Sequence, residues 1–214
     1  MEYIYIVLEK SHTLLGRLSR VIDPYEYTHI TVSLDDDLSR FYSFSRFYHY
    51  APFLSGFMKE TLDCYAYGKY NKVKLKVFKI PVTKEEKIRI KKFIKDVHND
   101  RKNYLFNLYS ALTMSVIGGF RIYKTYNCMS FTARVLEMVE SVKMNRPYYK
   151  YSIEDIDDLL SYFKYDEREF ERKEIESPNY MRKINPLFNV GSFFRLNAIL
   201  LFRMIFIPAK KDEL

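Results

Sequence analysis

The chain has 214 residues, of which 48% are hydrophobic and 29% are charged, and this composition is typical of a globular protein rather than a disordered one. It contains two cysteines, Cys64 and Cys128, which excludes a disulfide framework. Neither cysteine has a second Cys or a His at metal-ligand spacing, and we expect neither a metal nor a cofactor.

Alternation with a period of two residues predicts four strands, at about 3–8, 28–34, 40–45 and 73–80. The second and third flank the acidic turn Asp35–Asp37 and form a hairpin. Within the second strand Ile30 and Val32 share one face, and His29 lies on the other.

The second half of the chain predicts four helices, at about 84–97, 104–117, 127–140 and 153–160. Capping boxes at Thr83 and Ser152 begin the first and the last of them. Strands followed by helices favour an α+β fold with an antiparallel sheet. We predict one catalytic domain over residues 1–163. Residues 164–214, a charged excursion followed by an apolar segment, pack on the same domain.

Cys128 stands in the first turn of a predicted helix, directly after Asn127, a favoured N-cap residue. Free N–H groups and the helix dipole at that end favour the reactive thiolate. A thiol nucleophile needs an imidazole nearby, and His29 on its strand is the candidate. Ser43 on the returning strand, or Glu60 beyond it, is the candidate third group that orients the imidazole.

The segment Thr28-His29-Ile30-Thr31-Val32-Ser33-Leu34, followed about a hundred residues later by Asn127-Cys128-x-x-Phe131, resembles the circularly permuted NlpC-type papain superfamily. That group includes the YiiX-like hydrolases and the lecithin:retinol acyltransferase-like enzymes. The resemblance implies a papain-like fold in which the His strand precedes the Cys helix, and it covers roughly residues 3–163. In many relatives a His or another polar residue occurs on the next strand, where this chain has Ser43.

The resemblance implies a cysteine hydrolase or acyltransferase that cleaves an amide or ester bond in a peptide or lipid through an acyl-enzyme. The backbone N–H of Cys128 would help to hold the oxyanion. The alternative is a binding module that keeps the fold, has little or no turnover and associates with a membrane or another anionic partner. Nucleic acid is not favoured, because no RNP-like, zinc-finger or helix-turn-helix signature is present. The sequence does not predict an oligomeric state.

Positive charge is concentrated in residues 68–102, where thirteen Lys or Arg face four acids in a chain of net charge +8. Such a segment predicts either an anionic membrane surface as partner or a solvated face. Two arginines interrupt the apolar stretch 187–208, which we expect to be too short to span a bilayer. The stretch is compatible with a membrane interface, but we favour a segment that covers the core or forms an oligomer contact.

Two terminal features bear on localisation. The N-terminal segment lacks a basic region and ends at Glu9–Lys10, so it predicts a strand rather than a signal peptide. The chain ends in Lys211-Asp212-Glu213-Leu214, a lumenal retention address, which without a visible signal peptide does not set the localisation. We expect a cytoplasmic protein, with membrane association as a further possibility.

Overall fold

The computed structural model describes residues 1–10, 12, 25–67, 70–172 and 179–209, so the C-terminal tetrapeptide lies outside the described residues. The fold is α+β, as predicted. The strands are β1 (Glu2–Glu9), β2 (His29–Ser33), β3 (Phe41–Arg46), β4 (Ser55–Glu60), β5 (Lys72–Val82), β6 (Leu105–Phe106), β7 (Thr125–Tyr126) and β8 (Lys164–Glu171). The helices are α1 (Lys84–Asn99), α2 (Leu108–Ile117), α3 (Cys128–Leu136), α4 (Ile153–Leu159) and α5 (Pro186–Phe206).

These strands form one sheet in the order β7-β6-β4-β3-β2-β1-β5-β8. Neighbouring strands are antiparallel except for β6 and β7, which are parallel. The expected antiparallel sheet is therefore corrected to a mixed one. The physical reason is α2, which carries the chain back between β6 and β7 so that both strands run in the same direction.

The central strands are covered on both faces. On one face Ile30, Val32 and Phe44 pack with Phe131 of α3 in the main hydrophobic core. On the other face a second cluster, which includes Phe41 and Tyr65, covers the sheet. All five residues of β2 are consequently buried, including the polar ones.

The helix predicted from about Tyr104 begins at Leu108 in the structure. Asn107 caps it by accepting a hydrogen bond from the backbone N–H of Ser110, and the two preceding residues pair with β7 as a short strand. Asn107 thus lies between the last residue of β6 and the first residue of α2, and it caps the helix.

Residues 164–171, in the predicted charged excursion, form the edge strand β8 beside β5. Lys72, Lys74 and Lys76 stand opposite Glu171, Glu169 and Glu167 in the register of the two strands. Lys72 lies 3.4 Å from Glu171, and Lys74 lies 2.9 Å from Glu167. Much of the lysine charge on β5 is therefore neutralised by the acids of β8 and does not stand free.

The apolar C-terminal stretch forms α5, which has 21 residues and is by length and composition the one helix of the described chain that could cross a membrane. The expectation that the stretch is too short is corrected, because α5 is continuous through both arginines. The expectation that it covers the core is also corrected. Only Leu196 and Leu200 are buried, against Leu105 and Ile122.

Candidate active site

Cys128 and His29 are each the first residue of their element, α3 and β2. The Asn127 side chain accepts a hydrogen bond from the N–H of Ser130, and the Ser130 side chain accepts one from the N–H of Asn127. This reciprocal cap fixes the start of α3 and therefore the position of Cys128. Both Cys128 and His29 are buried, at 9% exposure, and both line the same cavity.

His29 is held by a carboxylate that comes from β4. Its Nε2 lies 3.0 Å from Oε2 of Glu60. The same carboxylate oxygen accepts hydrogen bonds from the hydroxyl of Ser43 at 2.8 Å and from that of Tyr65 at 3.0 Å. Nε2 is therefore the ring nitrogen that faces the carboxylate.

The structure brings both candidates for the third group to His29. The Ser43 oxygen lies 3.4 Å from Nε2, which is farther than Glu60, and its proton is donated to Glu60. Ser43 therefore supports the carboxylate, while Glu60 makes the closer and charged contact with the ring. The geometry favours Glu60, the alternative in the sequence analysis, as the direct orienting group.

Glu9 is a site residue that the sequence analysis missed. The register of β1 and β2 pairs it with His29, and its Oε1 lies 3.7 Å from Nε2 of the imidazole. The residue is buried, and its other oxygen has no hydrogen-bond partner among the described residues. The available signal was its place at the end of a buried strand, where a carboxylate is rare unless it is paired.

Burial and charge set the protonation of this cluster. Burial lowers the pKa of His29, but the carboxylates of Glu60 and Glu9, together with a hydrogen bond to Cys128, outweigh it and hold that pKa well above its usual value. Burial raises the pKa of Glu60, but His29 and the hydroxyl donors outweigh it and hold that pKa below the ordinary value.

The pKa of Glu9 shifts in the opposite direction from that of Glu60. Burial raises its pKa well above the ordinary value, and the nearby Glu60 charge raises it further against the pull of His29. These shifts favour the charged forms of His29 and Glu60 and the neutral form of Glu9. An imidazolium beside a cysteine favours its thiolate.

The cavity beside this cluster measures about 650 Å³. Its polar end is formed by Glu9, His29, Glu60 and Cys128. Its remaining wall is largely apolar and comes from several elements; it includes Phe44, Phe53, Phe106, Leu108, Leu112, Met114, Met129, Ile153 and Phe193. A substrate with an apolar part fits this lining.

The start of α3 also offers backbone donors at the cavity. The first N–H groups of a helix have no acceptor within the helix. Asn127 accepts the N–H of Ser130 with its side chain and that of Phe131 with its carbonyl oxygen. The N–H groups of Cys128 and Met129, which both line the cavity, are the ones suited to a developing oxyanion.

No protein-family model, curated protein or solved structure matches this chain.

Proposed function

We propose that the protein is a cysteine-dependent hydrolase or acyltransferase of the permuted NlpC-type, papain-like class. Cys128 is its nucleophile, His29 its base and Glu60 the group that orients His29. One observation carries the proposal: a buried imidazole, held by a carboxylate through one nitrogen, lines the same cavity as a helix-start cysteine that raises the pKa of the imidazole. This arrangement is the general requirement for an activated thiol nucleophile.

In the first half of the reaction the Cys128 sulfur attacks the carbonyl carbon, and the thiol proton resides on His29. The oxyanion is held by N–H groups at the start of α3. When the tetrahedral intermediate collapses, His29 gives its proton to the leaving alcohol or amine, and a thioester remains on Cys128. In the second half water, an alcohol or an amine attacks the thioester. His29 takes the proton of that nucleophile and returns a proton to the sulfur.

The cavity favours an acyl group with an apolar chain over a polar peptide. Its wall beyond the catalytic cluster includes Phe44, Phe106 and Leu108 and offers a peptide few charged partners. Burial of methylene groups contributes about 0.8 kcal/mol each, so such a wall would discriminate by chain length. A lipid ester or amide is the substrate class that suits it.

A second function, a papain-like binding module without turnover, fits the same cluster. The buried His29 between Glu60 and Glu9 is also what a purely structural ion-pair network looks like. The two functions differ in what they require of Cys128. An enzyme needs a reactive thiol there, whereas a binding module does not.

Alkylation of the folded protein tests the proposal. At pH 7 iodoacetamide should modify Cys128 rapidly and Cys64 hardly at all, because burial raises the pKa of the Cys64 thiol to about 12. Peptide mass spectrometry identifies the modified residue. His29→Ala should slow labelling of Cys128 and leave Cys64 unchanged. Equally slow labelling of the two cysteines in the folded protein, with fast labelling after unfolding, would remove the enzymatic proposal.

A further inference from the structure

Exposed apolar side chains are concentrated on two neighbouring helices. Of the eighteen large hydrophobic residues exposed in the described chain, twelve belong to α2 and α5. We call these twelve the apolar face: Leu112, Val116, Ile117, Leu187, Phe188, Val190, Phe194, Leu201, Phe202, Met204, Ile205 and Phe206. Exposed apolar side chains gathered on two neighbouring helices mark an interaction site rather than ordinary surface.

One stripe of α5 attaches the helix to the protein along its length. Phe193 stacks edge-on against Phe53, Asn197 accepts a hydrogen bond from Tyr109 at 2.6 Å, and Leu200 is fully buried. Further along, Arg203 donates to the carbonyl oxygen of Tyr123 at 3.1 Å. Crossing a bilayer would break these contacts, whereas lying in the plane of its surface keeps them and leaves the opposite side of α5 available to lipid.

The two segments of the chain that contain α2 and α5 are basic. Residues 104–136 and 179–209, which contain α2 and α5, include no Asp or Glu. They carry seven basic residues. Lys124 and Arg134 are paired with Asp100 and Glu137, and the other five are Arg121, Arg182, Lys183, Arg195 and Arg203. Basic residues beside an apolar helix face suit the anionic head groups of a lipid surface.

We propose that the apolar face docks on an anionic lipid bilayer with α5 lying in the interface. Apolar side chains would enter the boundary of the acyl chains, while Lys183 and Arg195 meet lipid phosphates. The cavity that contains Cys128 is lined by Leu112 of α2 and by Phe193 of α5, so it borders the docked helices. This inference rests on the proposed function: an enzyme with its cavity in this position would act on a lipid acyl ester of that bilayer.

Vesicle flotation tests the docking with Cys128→Ala protein, in which no chemistry takes place. The protein should float with vesicles of phosphatidylcholine and phosphatidylglycerol and much less with phosphatidylcholine alone. Phe194→Ser combined with Ile205→Ser should lower the bound fraction at least about tenfold, because both side chains would leave the lipid. Both are more than 60% exposed, so the fold should persist, as thermal melting would check. Tyr162→Ser, at a residue 92% exposed outside the apolar face, is the matched control.

Three outcomes would contradict docking on a bilayer. The first is equal binding to both kinds of vesicle, and the second is unchanged vesicle binding by the double variant. The third is a dimer of Cys128→Ala protein that the double substitution dissociates, with neither form binding vesicles. If alkaline carbonate extracts the protein from the vesicles, α5 lies in the interface. If the bound protein resists extraction, α5 spans the bilayer. Failure of the catalytic proposal is recognised separately. It would leave the Cys128→Ala flotation result unchanged and would appear as an absence of turnover with a short, water-soluble thioester or ester.

Discussion

An imidazole that takes a proton from a thiol becomes a cation, and a carboxylate against its far nitrogen stabilises that cation more than a hydroxyl does. In this protein Glu60 lies 3.0 Å from Nε2 of His29, whereas Ser43 lies 3.4 Å away and donates its proton to Glu60. Ser43 and Tyr65 thus hold the carboxylate in place, and the carboxylate holds the ring.

Three variants separate these roles in steady-state kinetics on any hydrolysed ester. Glu60→Gln should reduce kcat/KM by about a hundredfold or more, since the imidazolium loses its counter-charge. Ser43→Ala should cost less than about tenfold, the worth of one supporting hydrogen bond. Glu9→Gln should cost less than Glu60→Gln, because burial favours the neutral form of the Glu9 carboxyl and the amide is its neutral isostere.

Two results would contradict these assignments of Glu60, Ser43 and Glu9. A severe loss in Ser43→Ala with a mild one in Glu60→Gln would return the orienting role to Ser43. A loss in Glu9→Gln as large as that in Glu60→Gln would mean that Glu9 carries charge in the working enzyme. Circular dichroism of each variant would separate these effects from loss of fold.

The predictable part of the site is the part that local sequence encodes. The N-cap sequence placed Cys128 at a helix start, and the alternation of β2 placed His29 on a strand, both as the structure has them. Glu9 meets His29 only through the pairing of β1 with β2, which joins residues far apart in the chain. The choice between Ser43 and Glu60 likewise depends on strand register, which one sequence does not supply.

At the scale of elements, the cap of α3 connects stability with chemistry. Asn127 is completely buried, and its side chain holds the first turn of the helix that begins at Cys128. Thr83 makes the same kind of capping box at α1, and it is not among the residues that line the cavity. The two caps therefore differ mainly in the residue that each places at the start of its helix, which is Cys128 in α3 and Lys84 in α1.

Asn127→Ala and Thr83→Ala should each lower the free energy of unfolding by about 0.5–2 kcal/mol, measured by urea denaturation. Only Asn127→Ala should also reduce kcat and the rate of Cys128 alkylation, because only that cap positions the proposed nucleophile. Equal kinetic losses in the two variants would show that the effect is general destabilisation and would argue against a positioning role for Asn127.

The elements that sequence reasoning missed, β4, β6, β7 and β8, have no clear alternation of their own; β4 reads Ser-Gly-Phe-Met-Lys-Glu. β6 and β7 have two residues each, too few for an alternation to be read. β8 reads Lys-Tyr-Asp-Glu-Arg-Glu-Phe-Glu, which resembles a solvated loop until the lysines of β5 are placed beside it. Its stability as a strand comes from cross-strand partners rather than from burial.

In the whole molecule, the net charge of a chain segment differs from the unpaired charge that the segment presents on the surface. Residues 68–102 carry an excess of nine positive charges. Several of their lysines are paired in the fold, namely Lys72, Lys74, Lys76, Lys87 and Lys92. The apolar face combines fewer basic residues with exposed hydrophobic side chains and an acid-free surrounding sequence, so it is the better match for a bilayer.

Two charge reversals of equal size distinguish these surfaces. Lys183→Glu with Arg195→Glu should weaken binding to anionic vesicles strongly and reduce its salt dependence, because both exposed residues belong to the acid-free segment that carries α5. Lys91→Glu with Lys95→Glu removes the same net charge from exposed positions on α1 and should leave binding nearly unchanged. Flotation across a series of NaCl concentrations measures both effects. If the α1 pair proves as damaging as the other, total charge rather than the apolar face governs binding, and residues 68–102 become the membrane surface after all.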